Sequence, residues 1–159
     1  MTIRPAKACD AVPICAIWNE VIAHTAATFT SQLKTPDGIA TDIAARGPAF
    51  QVAETGGTVI GFATYFQFRG GPGYRHTMEH SIQLAPQARG RGAGRALLAA
   101  LEEVARQQGV HSLWAGVSGE NPGGVIFHAR LGYTEVARLP QVGRKFDRWM
   151  DLVLLQKIL

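Results

Sequence analysis

Two patterns predict an α/β domain in which one mixed sheet carries helices on both faces. Early in the chain the apolar runs Phe50–Thr55 and Thr58–Gln67 flank Gly56-Gly57, and paired glycines between such runs mark a tight antiparallel hairpin. From Thr77 onward strand and helix signals alternate, the order that packs helices against a sheet with parallel neighbours. The 159 residues hold no repeat, low-complexity tract or linker, so one domain spanning 1–159 accounts for them.

Taken in order, Thr2 to Ala6 reads as a short first strand. Asp10 is a good N-cap, and Ile14, Ile17, Trp18, Val21 and Ile22 then recur at helical spacing, giving an amphipathic helix that ends before Thr25. Thr35-Pro36-Asp37 opens a second, shorter helix with Pro in its first turn. The Gly56-Gly57 hairpin follows. Phe68 to Tyr74 holds three glycines and a proline and reads as a loop. Thr77 to Leu84 is the next strand. Leu97, Leu98, Leu101, Val104 and Ala105 share one face of a helix from Ala96 to Gln108, stopped by Gly109. Ser112 to Val117 is a strand, and Asn121-Pro122 starts a short helix that stops at Gly132. Tyr133 to Ala137 and Phe146 to Gln156 close the chain as strands, with Trp18 and Trp149 expected in the core.

Composition narrows the class. A chain of this length buries roughly 70% of its unfolded surface and needs neither metal nor disulfide to fold. No apolar run approaches the roughly 20 residues that span a bilayer, and Met1-Thr2-Ile3-Arg4-Pro5 lacks a signal-peptide core, so a cytoplasmic location with no membrane partner is expected. Cys9 and Cys15 would stand roughly 9 Å apart along a helix, too far for a disulfide. No His or Cys spacing suggests a metal site. The net charge of +4 is not gathered in a Lys/Arg run but concentrates near one glycine-rich segment, which a small polyanion explains as well as a duplex would; an Arg/Gly-rich RNA-binding segment would be longer and disordered, so no nucleic-acid partner is expected.

That segment is Gln87-Ala88-Arg89-Gly90-Arg91-Gly92-Ala93-Gly94-Arg95, between a strand and a helix. Glycines there let main-chain N–H groups approach a ligand, and the following helix adds unpaired N–H groups and a positive dipole end. It is not a Walker A loop, because Gly94 is followed by Arg95-Ala96 in place of Lys-Ser/Thr. Nor is it a dinucleotide fingerprint, since Gly90-Arg91-Gly92-Ala93-Gly94 has the wrong spacing and falls mid-chain after a hairpin.

Gln87-x-x-Gly90-x-Gly92 between strand and helix, followed by Asn121 and Leu131-Gly132-Tyr133, resembles the pyrophosphate loop and later landmarks of the GNAT superfamily of acyl-CoA N-acyltransferases. The resemblance runs from Ile3 to about Leu155. It is nearest the branch that acetylates phosphinothricin, methionine sulfoximine and methionine sulfone, through Ile17-Trp18-Asn19-Glu20, Thr25-Ala26-Ala27-Thr28-Phe29, Tyr74 to Ser81 and Gly143 to Leu152. Gln83, where many relatives carry an aromatic residue, and Gly123-Gly124, where a small polar residue is usual, depart from it.

The resemblance implies a mostly antiparallel, splayed sheet and acetyl-CoA as co-substrate. It implies that Ile82-Gln83-Leu84 pairs with the pantetheine arm, with the Leu84 N–H facing the thioester carbonyl. Gly90, Arg91, Gly92, Ala93, Gly94 and Arg95 would hold the pyrophosphate, with charge from Arg89, Arg91 or Arg95. Asn121 contacts the pantetheine, caps the helix after it, or does both. Tyr133 is the candidate acid for the departing thiolate, or a core tyrosine under the turn. Glu79 is the candidate base, with His76 and His80 ranked below it, or the partner of Arg75 or His76 in an ion pair. An α-amine with an ordinary pKa near 7.7–8.0 asks little of such a base. Arg75 suits a substrate carboxylate or phosphinate, with Phe29 and Tyr74 as pocket walls and the Phe68–Tyr74 loop as a cover. The expected product is an N-acetylated small amino-acid analogue, with a peptide amine or a non-catalytic acyl-CoA-binding role as rival readings. Relatives commonly form dimers, so a homodimer is implied, with Leu152 to Leu159 available to it.

Overall fold

Local signals become elements largely where they were expected. The computed structural model describes all 159 residues. β1 (Thr2–Pro5) leads into α1 (Ala11–His24) and α2 (Pro36–Arg46); β2 (Phe50–Thr55), β3 (Thr58–Gln67) and β4 (Thr77–Leu84) follow. Then come α3 (Ala93–Gln107), β5 (Ser112–Ser118), α4 (Pro122–Arg130), β6 (Thr134–Lys145) and β7 (Arg148–Ile158). Thr35 caps α2 by accepting the Gly38 N–H at 3.1 Å. Asp10 precedes α1, but its carboxylate does not cap that helix: it accepts from Arg4 at 2.7 and 3.0 Å and from the Lys7 N–H, tying β1 to the turn before α1. No helix is long and apolar enough to cross a membrane.

The strands form one sheet in the order β1-β2-β3-β4-β5-β7-β6. Every neighbouring pair is antiparallel except β4 and β5. α1 and α2 cover one face, where Ile14, Trp18, Ile39 and Ile43 pack on Phe50 and Phe62. α3 covers the other with Leu97, Leu98 and Leu101, all fully buried, and each contributes about 1.5–3 kcal/mol over its exposed state.

The parallel pair decides where the site lies. β4 and β5 pair only through Thr77↔Ser112, Met78↔Leu113 and Glu79↔Trp114, and beyond Glu79 they separate. Residues Ser81 to Leu84 keep β3 on one side and have no strand on the other. The expected splay is therefore present.

Two expectations are corrected at the C-terminal end. β6 runs to Lys145, well past Ala137, and Phe146-Asp147 form the turn to β7 instead of starting a strand, with φ values of 52° and 57°. That turn type normally carries Asn or Gly, so the sequence offered no hairpin signal. Pro140 also argues against a strand, yet β6 is an edge strand with an irregular register between Leu139 and Gly143, the setting in which Pro is tolerated. Trp149 is 57% exposed on this hairpin and is not core, whereas Trp18 is buried against Phe62. Both cysteines are free thiols, Cys9 exposed and Cys15 buried.

Candidate active site

The glycine segment presents an uncommitted row of main-chain donors. Gly90 and Gly92 adopt φ of 72° and 80°, a region where a Cβ is penalised, and Gly92 is the N-cap of α3. α3 starts three residues earlier than its apolar periodicity indicated. Its first internal bond is Ala96 N–H to Gly92 C=O at 3.0 Å, and no N–H from Gly90 to Arg95 donates to another main-chain carbonyl. No side chain caps the helix either, so its positive dipole end is open to an anion. Gly94 serves packing: a Cβ there would stand 3.2 Å from the Phe127 ring of α4. Arg89, Arg91 and Arg95 are exposed, and Arg89 is the one of the three that lines either of the two cavities described next.

The open edge of β4 continues from this loop. The Thr77 C=O and the Ala85 N–H bond towards β3, and main-chain groups alternate along a strand, so those of Ile82 and Leu84 face the gap left by β5. Two cavities meet there. One, of about 590 Å³, is lined by Leu84, Arg89, Gly94, Asn121 and Phe127. The other, of about 610 Å³, is lined by Phe29, Lys34, Arg46, Phe66, Glu79 and Ser118 among others. Ile82, Gln83, Asn121, Gly124 and His128 belong to both walls. A groove for a long anionic ligand thus opens into a chamber containing one carboxylate, Glu79.

The sequence profile of the acetyltransferase (GNAT) family matches residues 18–133. The chain belongs to the GNAT family. It is 38% identical to an L-methionine sulfoximine/L-methionine sulfone acetyltransferase of Salmonella typhimurium, over 98% of this chain and 93% of that protein. The fold matches the crystal structure of a ribosomal-protein-alanine N-acetyltransferase from Brucella melitensis with a TM-score of 0.95 and 39% identity, covering 100% of both chains. It also matches yncA, a putative acetyltransferase from Salmonella typhimurium with its cofactor acetyl-CoA, with a TM-score of 0.95 and 38% identity over 99% of this chain and 93% of that one. The protein is therefore an acetyl-CoA-dependent acyltransferase related to the phosphinothricin and methionine sulfoximine branch. Its own residues fit the coenzyme: six free N–H groups suit a diphosphate, and an unpaired strand edge suits the amides of pantetheine.

Within this GNAT enzyme the Glu79 carboxyl lies over Gly116 of β5, where a Cβ would approach Glu79 Oε1 to 2.9 Å. Burial raises its pKa above the usual carboxylate range. It makes no ion pair with Arg75 or His76; those two bond each other, Arg75 Nε to His76 Nε2 at 3.0 Å. Asn121 caps α4 by accepting the Gly124 N–H at 3.0 Å and lines both cavities, so its two expected roles are compatible. Phe29 lines the 610 Å³ cavity. Its ring packs on Gly143 of β6 so closely that a Cβ there would fall 2.3 Å from it. Lys145 holds the same wall from behind, its ammonium donating to the carbonyls of Ile22, Thr25 and Thr28 at 2.6, 2.7 and 3.0 Å. Those bonds satisfy the C-terminal end of α1 and hold the 25–29 segment in place.

Tyr74, Arg75 and His76 are not brought to either cavity. They lie just before the start of β4, the end remote from Leu84, and are exposed; His76 Nδ1 meets the Gly109 carbonyl at 3.0 Å. The Phe68–Tyr74 loop lies with them and covers neither cavity, Phe68 stacking on Trp114 at 4.9 Å. Tyr133 also misses the walls. It is 3% exposed, and its hydroxyl lies in the core without a hydrogen-bond partner. Burial, reinforced by the charge of Glu102, raises its pKa far above that of an ordinary phenol, which makes it a poorer proton donor.

His128 was absent from the sequence expectations, although it stands seven residues after Asn121, two helical turns away on the same face. It is 6% exposed and borders both cavities. His128 Nδ1 lies 2.7 Å from the Gly124 carbonyl and therefore carries a proton, which leaves Nε2 to accept from His80 Nε2 at 2.9 Å. His80 Nδ1 is then a buried lone pair with no partner. Protonation there buries an unpaired charge, and protonation of His128 sets two donors face to face. Both imidazoles are held neutral, with burial the main cause and His80 lowered to about 3.

Proposed function

We propose that this enzyme acetylates the α-amine of a small amino-acid analogue such as methionine sulfone, methionine sulfoximine or phosphinothricin, and that the 610 Å³ cavity holds the acceptor. One observation carries the reading: Glu79 is the single carboxylate lining that cavity and sits where β4 and β5 part, beside the edge suited to pantetheine. Acetyl-CoA supplies the activated acetyl thioester that the amine attacks. The N–H groups from Gly90 to Arg95 bind its diphosphate, aided by Arg89. The edge at Ile82, Gln83 and Leu84 aligns the pantetheine, with the free Leu84 N–H as donor to the thioester oxygen and Asn121 as a side-chain contact. Glu79 takes the proton from the acceptor ammonium, directly or through one water, so that the nitrogen lone pair is available. His128, with both ring nitrogens engaged by Gly124 and His80, is a neutral wall between the two cavities. A thiolate with an ordinary pKa of about 8.5 departs without a strong acid, so the buried Tyr133 hydroxyl is dispensable.

Release of free thiol from acetyl-CoA across a panel of amino acids and analogues tests the acceptor class. Glu79→Gln is expected to lower kcat/KM by about 10²–10⁴-fold, most severely at low pH, with acetyl-CoA affinity nearly unchanged. An unaltered pH–rate profile removes Glu79 from the mechanism. The likeness to a ribosomal-protein-alanine N-acetyltransferase favours a peptide amine as second reading, so the panel includes a peptide with N-terminal alanine. Preference for that peptide over every free amino acid overturns the first reading. We further assign the enzyme as a cytoplasmic homodimer. Val136, Val142, Phe146 and Trp149 expose apolar surface along the unpaired edge strand and its hairpin, which supports self-association. Sedimentation at a monomer mass refutes the dimer.

A further inference from the structure

Two cations share the acceptor cavity with Glu79, and they differ in state. Arg46 is engaged: its guanidinium lies 3.2 Å from Asp42, donates to Thr64 Oγ1 at 3.3 Å and covers the Phe66 ring at 5.5 Å. Lys34 is free. Its ammonium lies 4.7 Å from the centroid of the Trp18 ring, with no carboxylate or carbonyl bound to it.

The position of Lys34 is nevertheless closely controlled. Asn19 Oδ1 accepts the Lys34 N–H at 2.8 Å, and Asn19 Nδ2 donates to the Lys34 carbonyl at 3.0 Å. Cys15 Sγ donates to the same carbonyl at 3.2 Å. Cys15, Trp18 and Asn19 lie within about one turn on one face of α1. One helix face thus clamps the Lys34 backbone on both sides and supplies the aromatic plate beneath its charge. The ammonium lies over Trp18 and the residue lines the cavity, an arrangement that binds an anion with little further ordering. The charge layout is that of a zwitterion read in reverse: a carboxylate to meet an ammonium, and an unpaired ammonium to meet a carboxylate.

We propose that Lys34 receives the α-carboxylate of the acceptor while Glu79 faces its amine, making Lys34 the residue that selects amino acids over simple amines. The assignment rests on the acceptor reading of this cavity. It replaces Arg75, which lies outside the cavity, as the anchor for the substrate's negative charge.

The test compares L-methionine sulfone with its carboxamide, which keeps the amine and removes the charge, in the wild-type enzyme, Lys34→Gln and Lys34→Arg. Lys34→Gln is expected to raise KM for the sulfone about 10- to 100-fold with kcat little changed, and to leave KM for the carboxamide where it was. Lys34→Arg restores most of the preference. Calorimetric affinity for acetyl-CoA, equal in all three proteins, shows that the fold and the coenzyme groove are intact. Equal effects of Lys34→Gln on both compounds, or none on either, overturn the role of Lys34 while leaving the acceptor class standing. Failure of the wild-type protein to acetylate the sulfone, with acetyl-CoA still bound, overturns the acceptor class and this assignment together.

Discussion

Acidification is expected to destabilise this enzyme through His80, by an amount the structure allows to be worked out. An unfolded histidine has an ordinary pKa of 6.5, and burial beside His128 lowers the folded value to about 3. Between those values the unfolded chain binds a proton that the folded chain does not, so stability falls as pH drops. The contribution is complete above about pH 6.5, shrinks on the way down and levels out near pH 3. From neutrality to pH 5 the loss is about 2 kcal/mol, from roughly 1.5 pH intervals at about 1.36 kcal/mol each. For a chain of this size that lowers Tm by about 4–8 °C. His80→Gln supplies a non-titrating donor of similar reach to His128 Nε2, and His128 is common to both proteins. Urea unfolding at pH 7 and pH 5 should therefore show the wild type losing about 2 kcal/mol more than the variant between the two conditions. Parallel pH dependences would refute the claim that His80 is held neutral by burial.

Gly92→Val should abolish acetyl-CoA uptake in calorimetry while circular dichroism stays native. A Cβ at Gly92 meets no atom within 4 Å, so the fold bears only the backbone penalty at φ 80°, about 1–2 kcal/mol; normal affinity would show that the loop does not bind the diphosphate. Gly143→Ala should cost about 1–3 kcal/mol and raise the acceptor KM, because its Cβ displaces the Phe29 ring from the cavity wall; an unchanged KM would place Phe29 outside the acceptor's reach. Tyr133→Phe removes a buried hydroxyl that has no partner, so stability should hold or rise and the single-turnover rate should stay the same; a slowed chemical step would restore Tyr133 as proton donor.

The residues legible from sequence are those whose role depends on near neighbours in the chain. Thr35-Pro36 opens α2, Gly56-Gly57 turns β2 into β3, and Asn121-Pro122 starts α4 because caps and turns act over three or four residues. The open backbone of the glycine segment follows from near neighbours in the same way, since positive φ at Gly90 and Gly92 and the uncapped start of α3 are local properties. Phe146-Asp147 was not, because a turn with two positive φ values and no glycine is stabilised by the strands it joins. Trp149 was misjudged because apolar character does not say which face of a hairpin is covered.

By itself the sequence determined most of the elements, the family resemblance and the backbone freedom of the glycine segment, all written in periodicity, motif spacing and local backbone chemistry. Only the tertiary structure decided which charged side chains share a cavity. It moved Tyr74, Arg75 and His76 to the remote end of β4, withdrew Tyr133 into the core, joined His80 to His128 across 48 positions and placed Lys34 and Glu79 on the wall of one cavity. The physical reason is that main-chain donors are aimed by torsions within a few residues. A side chain's partners and burial depend on where strands part and helices dock, which is set by packing between residues far apart in the chain.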